Sequence, residues 1–310
     1  MDELKEPRIS DLNPIISLFL IFFMILLVSY GVLGQWVGLE LSSLFYDGDL
    51  KTEILKEHPD PHVLVPVLIM LGTSTLIGLI LSPLFYVRII ERKPWSPFFK
   101  NETNWLKVLG IIPMLGICFY IAISPIVEWN MNFQFSGAAE EFGTWAREME
   151  DQLMGLTQLI TKFDSPAEYA LGLVVIALLP GIGEELVFRG MIQNELKRAS
   201  NNIHVAIWTS AFLFSAIHMQ FFGFVPRMLL GAMFGYLYYW SGNLFIPMIA
   251  HIFHNGFTVT MIYLYNQGST DINIDSEESA PLFLVAICGV VTFALLYFFR
   301  KHYSSEQSLP

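Results

Sequence analysis

Three ionisable residues fall within six positions of a stretch reading Leu178-Leu-Pro-Gly-Ile-Gly-Glu184-Glu185-Leu-Val-Phe188-Arg189-Gly190. At the centre of a membrane helix each costs roughly 2.5–3.5 kcal/mol even on lenient insertion scales, so they must be paired, neutralised or wetted. Helical spacing supplies one pairing. Glu185 and Arg189 are four apart, share a face and can form an internal ion pair, which gives them a structural reading. Glu184 points about 100° away and keeps no local partner. An unpaired carboxylate in a low-dielectric setting is a candidate proton acceptor and donor. Pro180, Gly181 and Gly183 just before it are predicted to weaken the helix and let water or a substrate strand approach.

Two further apolar stretches carry polar groups of a similar kind. Phe214-Ser-Ala-Ile-His218 places ring and imidazole on one helical face, so the Phe can pack beside the His. Pro247-Met-Ile-Ala-His251-Ile-Phe-His254-Asn255 places His251 and Asn255 on one face, with His254 about 60° from His251. A lone His among apolar helices is more often a hydrogen bonder between them. The functional reading rests on the set: Glu184, His218, His251 and Asn255 on polar faces of three otherwise apolar helices. Depth constrains that set. If the first two helices turn near 200–202, Glu184 and His218 both lie roughly 25 Å from the turn. His251 lies only roughly 12 Å from its own turn at Gly242 and Asn243. The groups meet only if the first hairpin extends about 10 Å beyond the second.

The elements that hold these groups belong in a membrane. Of the 310 residues 54% are hydrophobic, 26 are Phe and only 15% are charged, against roughly 25% charged in soluble globular chains. That apolar content suffices for about eight spans of roughly 20 residues. A soluble enzyme, a disordered tail and a nucleic-acid binder are poor fits at a net charge of −11. The expected fold is all-α: a polytopic membrane protein of about eight transmembrane helices around an intramembrane polar cavity. The apolar runs lie near 14–37, 63–90, 105–127, 167–196, 203–218, 224–240, 244–265 and 281–299. The first is longer than the roughly 7–15 residues of a signal h-region and lacks an Ala-x-Ala, so it reads as a retained span. The chain then divides into a cytoplasmic segment (1–13), three spans with acidic outer segments (14–166), the helices carrying the polar set (167–265), and an acidic loop, last span and cytoplasmic tail (266–310).

Charge supports this count. With both termini cytoplasmic, inner segments hold Lys5, Arg8, Arg88, Arg92, Lys93, Lys100, Lys107, Lys197, Arg198, Arg300 and Lys301. Outer segments hold only Lys51, Lys56, Arg147, Lys162 and Arg227. That asymmetry fits the positive-inside rule and a multi-pass protein of the cell membrane. Eighteen of the 28 acidic residues lie in the outer segments 40–60, 128–168 and 271–278, read as solvated surface. Within the second of these, Leu153, Leu156, Leu159 and Ile160 predict an amphipathic helix lying on that surface. Gly231-x-x-x-Gly235 allows close helix contact, ordinarily with an internal helix. Cys118 and Cys288 read as small packing residues, with no Cys-x-x-Cys pair or disulfide framework.

In order along the chain, Glu-Glu-x-x-x-Arg (Glu184, Glu185, Arg189), Phe-x-x-x-His (Phe214, His218) and His-x-x-x-Asn (His251, Asn255) resemble the CAAX protease and bacteriocin-processing (CPBP or Abi) family. That family is related to the type II CAAX prenyl endopeptidases. Each motif alone is weak; the three in order, with Phe188-Arg189-Gly190, are specific, and they cover about 167–265. The resemblance implies an intramembrane endopeptidase with an eight-helix core, hydrolysing a peptide bond of a membrane protein or lipidated peptide. It implies that Glu184 and His218 activate the attacking water and that His251 and Asn255 stabilise the oxyanion. Glu185 and Arg189 would keep the helix in register, with Phe214 in support. The favoured version is a metal-free glutamate peptidase with no cofactor. In the metalloprotease alternative, Glu184, His218 and His251 would be three zinc ligands with a fourth position for water, although His-Glu-x-x-His is absent. Two rivals stand beside it. A non-proteolytic immunity or scaffold protein of the same family is disfavoured by the full set of motif residues. A proton-coupled transporter predicts paired broken helices in symmetric halves, and the sequence shows no such symmetry. The lipid bilayer is the expected partner, nucleic acid is not, and the oligomeric state stays open.

Overall fold

The computed structural model describes residues 13–25, 27–28, 33–54, 56, 60–92, 94–99, 103–274 and 278–303. The N-terminal segment with Lys5 and Arg8, the inner Lys93 and Lys100, and the tail from 304 onward lie outside the described residues. Among the described residues every regular element is helical. In chain order the principal helices are α1 (Pro14–Met24), α2 (Leu33–Ser42), α3 (Leu64–Ile89), α4 (Trp105–Ala122), α5 (Ser124–Met131), α6 (Glu140–Ile160), α7 (Pro166–Ser200), α8 (Ile203–Ala216), α9 (Phe224–Ser241), α10 (Phe245–Asn266) and α11 (Leu282–Tyr303).

Local chemistry sets the boundaries of the central hairpin. Ser165 and Glu168 form a reciprocal capping box ahead of α7, with Pro166 in the first turn. The helix ends where Asn201 takes the left-handed conformation, at φ 51°. Asn202 then caps α8 by accepting from the backbone N–H groups of His204 and Val205.

Six of the eight expected spans are present as helices of spanning length, and three of the expected runs are shortened or divided. Six helices (α3, α4, α7, α9, α10 and α11) are long and apolar enough to cross a membrane. The other two expected spans are short. α8 has 14 residues and stops at Ala216, about 21 Å of helix against the ~30 Å of a bilayer core. Its chain turns out of the helix through Met219, at φ +57°. The first run is divided between α1 and α2, and residues 29–32 between them lie outside the described residues. The third run divides too, at Ile123, where α4 gives way to α5 with Pro125 in its first turn.

Pro180, Gly181 and Gly183 do not break α7. The helix runs through them and instead widens to π geometry on either side, over Leu173–Leu178 and Leu186–Ile192. The glycines serve close approach. A Cβ on Gly181 would lie 2.9 Å from the Ile252 backbone nitrogen, and one on Gly183 would lie 2.7 Å from Leu79 Cβ. The same reason governs Gly231 and Gly235, whose added Cβ atoms would meet Phe214 and Ala211, and Gln193 and Ile207. The close contacts at that small-residue spacing are therefore internal, to α7 and α8.

Depth resolves as the sequence required. Leu244, at the start of the second hairpin's return limb, abuts Gly190, ten residues before α7 ends. The first hairpin thus projects about 15 Å further, which brings His251 level with the paired glutamates. The middle of α7, Leu186–Ile192, is buried throughout. By contrast α11 exposes Val290 (72%) and Phe293 (77%) along an apolar stripe, as a lipid-facing helix does. α6 lays Leu156, Leu159 and Ile160 against Val63 and Val67 of the α3 end, as its spacing predicted.

Candidate active site

α7 brings two carboxylates to the protein interior with different surroundings. Glu185 is fully buried, and its Oε1 accepts from Arg189 Nη1 at 2.7 Å and from His251 Nδ1 at 2.8 Å. Arg189 also donates to the Gly231 carbonyl at 2.8 Å, which ties α7 to α9. Its guanidinium lies 4.8 Å from the Phe214 ring centroid and 5.5 Å from that of Phe234. The pairing read from sequence is thus present, with His251 as a third member that spacing within one helix could not reveal.

Glu184 opens onto a cavity of about 660 Å³, lined also by Phe214, His218, Arg227, His251, His254 and Asn255. Its Oε2 lies 3.8 Å from His251 Nε2, too far for a hydrogen bond, and is enclosed with no hydrogen-bond partner among the described residues. Buried acceptors are rarely left this way, and a site of chemistry is one reason for it.

The histidines are oriented by acceptors behind them. His218 Nδ1 lies 2.8 Å from the Phe214 carbonyl oxygen; a carbonyl only accepts, so Nδ1 carries the proton and Nε2 of the neutral ring keeps the lone pair. His251 is held in the same way by Glu185. Phe214 sits between the two rings, edge-on to His218 at 5.1 Å and to His251 at 5.8 Å. Phe234 stacks on the other side of His251 at 5.0 Å. Asn255 donates to the Ile176 carbonyl at 3.3 Å, in the first widened turn of α7. All seven residues singled out by sequence therefore meet at one locus. Glu184, Phe214, His218, His251 and Asn255 line the cavity, and Glu185 and Arg189 lie behind it.

Sequence reasoning missed the wall formed by α5, α6 and the turn leading into α9. Asn130 Oδ1 accepts from Val225 N at 2.9 Å, while its amide donates to the Phe221 carbonyl. Glu150, buried on α6, accepts from Phe222 N and from Gln220 Nε2, both at 3.3 Å. Gln220 in turn accepts from Arg227 Nη2 at 2.8 Å. Desolvation pushes the Glu150 carboxyl above its ordinary value, against the Phe222 N–H and the charges of Arg227 and Arg147. No spacing rule links residues 130, 150, 220 and 227; only the amphipathic pattern of α6 hinted at this face.

The orientation of His218 and His251 by acceptors behind Nδ1 is of the kind that metal ligands use. Among the described residues, however, no three His, Cys, Asp or Glu side chains are gathered so as to hold one ion. As they stand, Glu184, His218 and His251 do not fit zinc.

Fold and site together define a polytopic integral membrane protein whose cavity, bearing Glu184 and three histidines, is lined by α4, α5, α7, α8, α9, α10 and residues between α10 and α11. Residues 166–257 match the family described as Rce1-like, type II CAAX prenyl endopeptidase Rce1-like, which bears out the resemblance read from the motifs and supports a protease-type enzyme at family level. The uncharacterized protein YpbD of Bacillus subtilis (strain 168) is 31% identical over 83 residues, 26% of this chain and 39% of that protein. The chain therefore matches well under half the length of that relative. No solved structure matches it significantly.

Proposed function

We propose that this chain is an intramembrane endopeptidase that hydrolyses a peptide bond of a membrane protein or lipidated peptide, with Glu184 as general base and then general acid. The observation that carries this reading is the enclosed, unpartnered Glu184 Oε2, in one cavity with His218 and His251. A water lodged between Glu184 and His218 Nε2 would give its proton to Glu184 as its oxygen attacks the scissile carbonyl. His218 accepts a hydrogen bond from that water and fixes its direction. The carbonyl oxygen takes the negative charge, and Glu184 returns the proton to the departing amine as the C–N bond breaks.

Oxyanion stabilisation is assigned to His251 and Asn255. With Nδ1–H given to Glu185, His251 donates from Nε2 only as the imidazolium. Its Nδ1 lies 2.8 Å from a Glu185 oxygen and its Nε2 3.8 Å from a Glu184 oxygen. Asn255 has one amide N–H on the Ile176 carbonyl and a second to offer. Phe214 separates the two imidazoles, and Glu185 with Arg189 holds α7 against α9.

The basic ends of the spans face the cytoplasm in this reading, with both termini on that side of a cell membrane. The test is reconstituted protein incubated with a pool of lipidated peptides, followed by mass spectrometry of new termini. Wild type should create them, and Glu184→Gln should lower the rate by about 10²–10⁴-fold. Equal cleavage by both would refute the assignment.

A further inference from the structure

Arg227 lies in an apolar helix of spanning length and lines the same cavity as Glu184, yet no carboxylate among the described residues lies within ion-pair distance of it. The contrast with Arg189 is direct, since that buried guanidinium has Glu185 at 2.7 Å. Arg227 sits in the first turn of α9, at the end of its span, and a guanidinium drawn out of water there ordinarily takes a counter-charge. The partner that Arg227 does have is Gln220, through its Oε1 at 2.8 Å and its backbone carbonyl at 3.5 Å. Gln220 is itself gripped by Glu150 of α6.

Two of the five guanidinium N–H groups are thereby used. The other three have no protein acceptor among the described residues, and Nε, which has no partner, is not enclosed, so the guanidinium lines the cavity with donor capacity left over. The N-terminus of α9 does not compete for an anion there, because Asn130 Oδ1 and Glu150 already take the Val225 and Phe222 N–H groups. Among the cavity-lining residues described, Arg227 is the sole Lys or Arg, whereas Glu184 and Glu278 are acidic. Arg227 is therefore the one permanently charged cation that this lining offers an anion.

We propose that Arg227, held by Gln220, is the anchor for a carboxylate of the bound peptide, presenting the planar N–H fork that carboxylates fit. Calling that peptide the substrate rests on the peptidase reading; the carboxylate site itself does not. The carboxylate comes either from a free C-terminus or from an Asp or Glu side chain.

The experiment is equilibrium binding to full-length protein carrying Glu184→Gln, so that no probe is cleaved, in nanodiscs of neutral phosphatidylcholine. The probes are N-decanoyl-Ala-Ala-Leu as free acid, the same peptide as carboxamide, and N-decanoyl-Ala-Asp-Leu carboxamide. At least one carboxylate-bearing probe should bind about tenfold or more tightly than the uncharged carboxamide, and which one does identifies the source. Adding Arg227→Gln should abolish the preference, and Arg227→Lys, which keeps charge but loses the fork, should shrink it. Equal binding by all three probes, binding by none, or a preference that survives Arg227→Gln in folded protein overturns the proposal. The comparison among probes needs no Arg227 variant, so misfolding of one does not shelter the idea. A carboxylate preference in a chain that cleaves nothing would leave this site standing and remove the peptidase reading; cleavage without the preference would do the reverse.

Discussion

His251 leans on Glu185: its Nδ1 lies 2.8 Å from the same oxygen, Oε1, that Arg189 holds at 2.7 Å. One buried carboxylate thus serves two cations or donors from two helices, while its neighbour Glu184 serves none at hydrogen-bond distance among the described residues. Adjacent residues of the same type have been given opposite tasks by a 100° turn of helix.

The two carboxylates should therefore separate in stability measurements. Glu185→Gln removes the charge that compensates a fully buried guanidinium, and breaking one side of such a pair costs about 3–5 kcal/mol. Glu184→Gln removes a carboxylate whose Oε2 has no partner, so its effect should stay within about 1 kcal/mol. Thermal unfolding of both variants in one detergent checks this, and equal losses would contradict the division of roles.

Glycines in α7 should be selective in their intolerance. Gly181→Ala sets a Cβ 2.6 Å from Ile252 Cγ1 and 2.9 Å from its backbone nitrogen, so the α7–α10 contact must open, at about 1–3 kcal/mol. Gly110→Ala in α4 meets nothing within 4 Å and should stabilise by about 0.5–1 kcal/mol through helix propensity. The pair of melting temperatures should move in opposite directions.

Glu150 predicts a pH dependence away from the membrane interior. Desolvation raises its carboxyl above the ordinary 4.5, so between that value and the raised one the folded chain binds more protons than the unfolded chain. The contribution of this group to stability is then most favourable at low pH and declines as pH rises through the window. Glu150→Gln should flatten that part of the melting-temperature profile relative to wild type. A slope unchanged by the substitution would show that Glu150 does not titrate in this way.

Metal dependence offers a separate check. The derived steps use Glu184, His218, His251 and Asn255 alone, so cleavage should survive exhaustive chelation, with no stoichiometric zinc by elemental analysis. Activity lost on chelation and restored by zinc would favour the alternative in which Glu184, His218 and His251 converge on an ion.

Much of this site was legible because charge is scarce in the chain. Glu184, Glu185 and Arg189 stand out where every neighbour is apolar, and helical spacing alone separates the pair from the lone carboxylate. The depth condition on the two hairpins was also readable, and the abutment of Leu244 on Gly190 meets it. What spacing could not give was contact between helices. The Glu185–His251 bond, the grip of Glu150 on the turn before α9 and the lack of an ion pair at Arg227 among the described residues all join residues 66 or more positions apart or depend on what is missing nearby. Helix lengths were misread for a related reason. Hydropathy continued past Ala216 to His218, but the left-handed Met219 belongs to a turn that presents the imidazole to the cavity. Pro180 and its glycines read as breakers, yet tertiary packing absorbed them as close-approach positions.

The central claim, that Glu184 carries the proton in peptide hydrolysis, is tested most directly by terminal proteomics of membranes from cells expressing either wild type or Glu184→Gln at equal levels. The account predicts at least one membrane-associated protein that is cut in the first and accumulates uncut in the second. Identical termini in the two membranes, with both proteins folded and inserted, would contradict it.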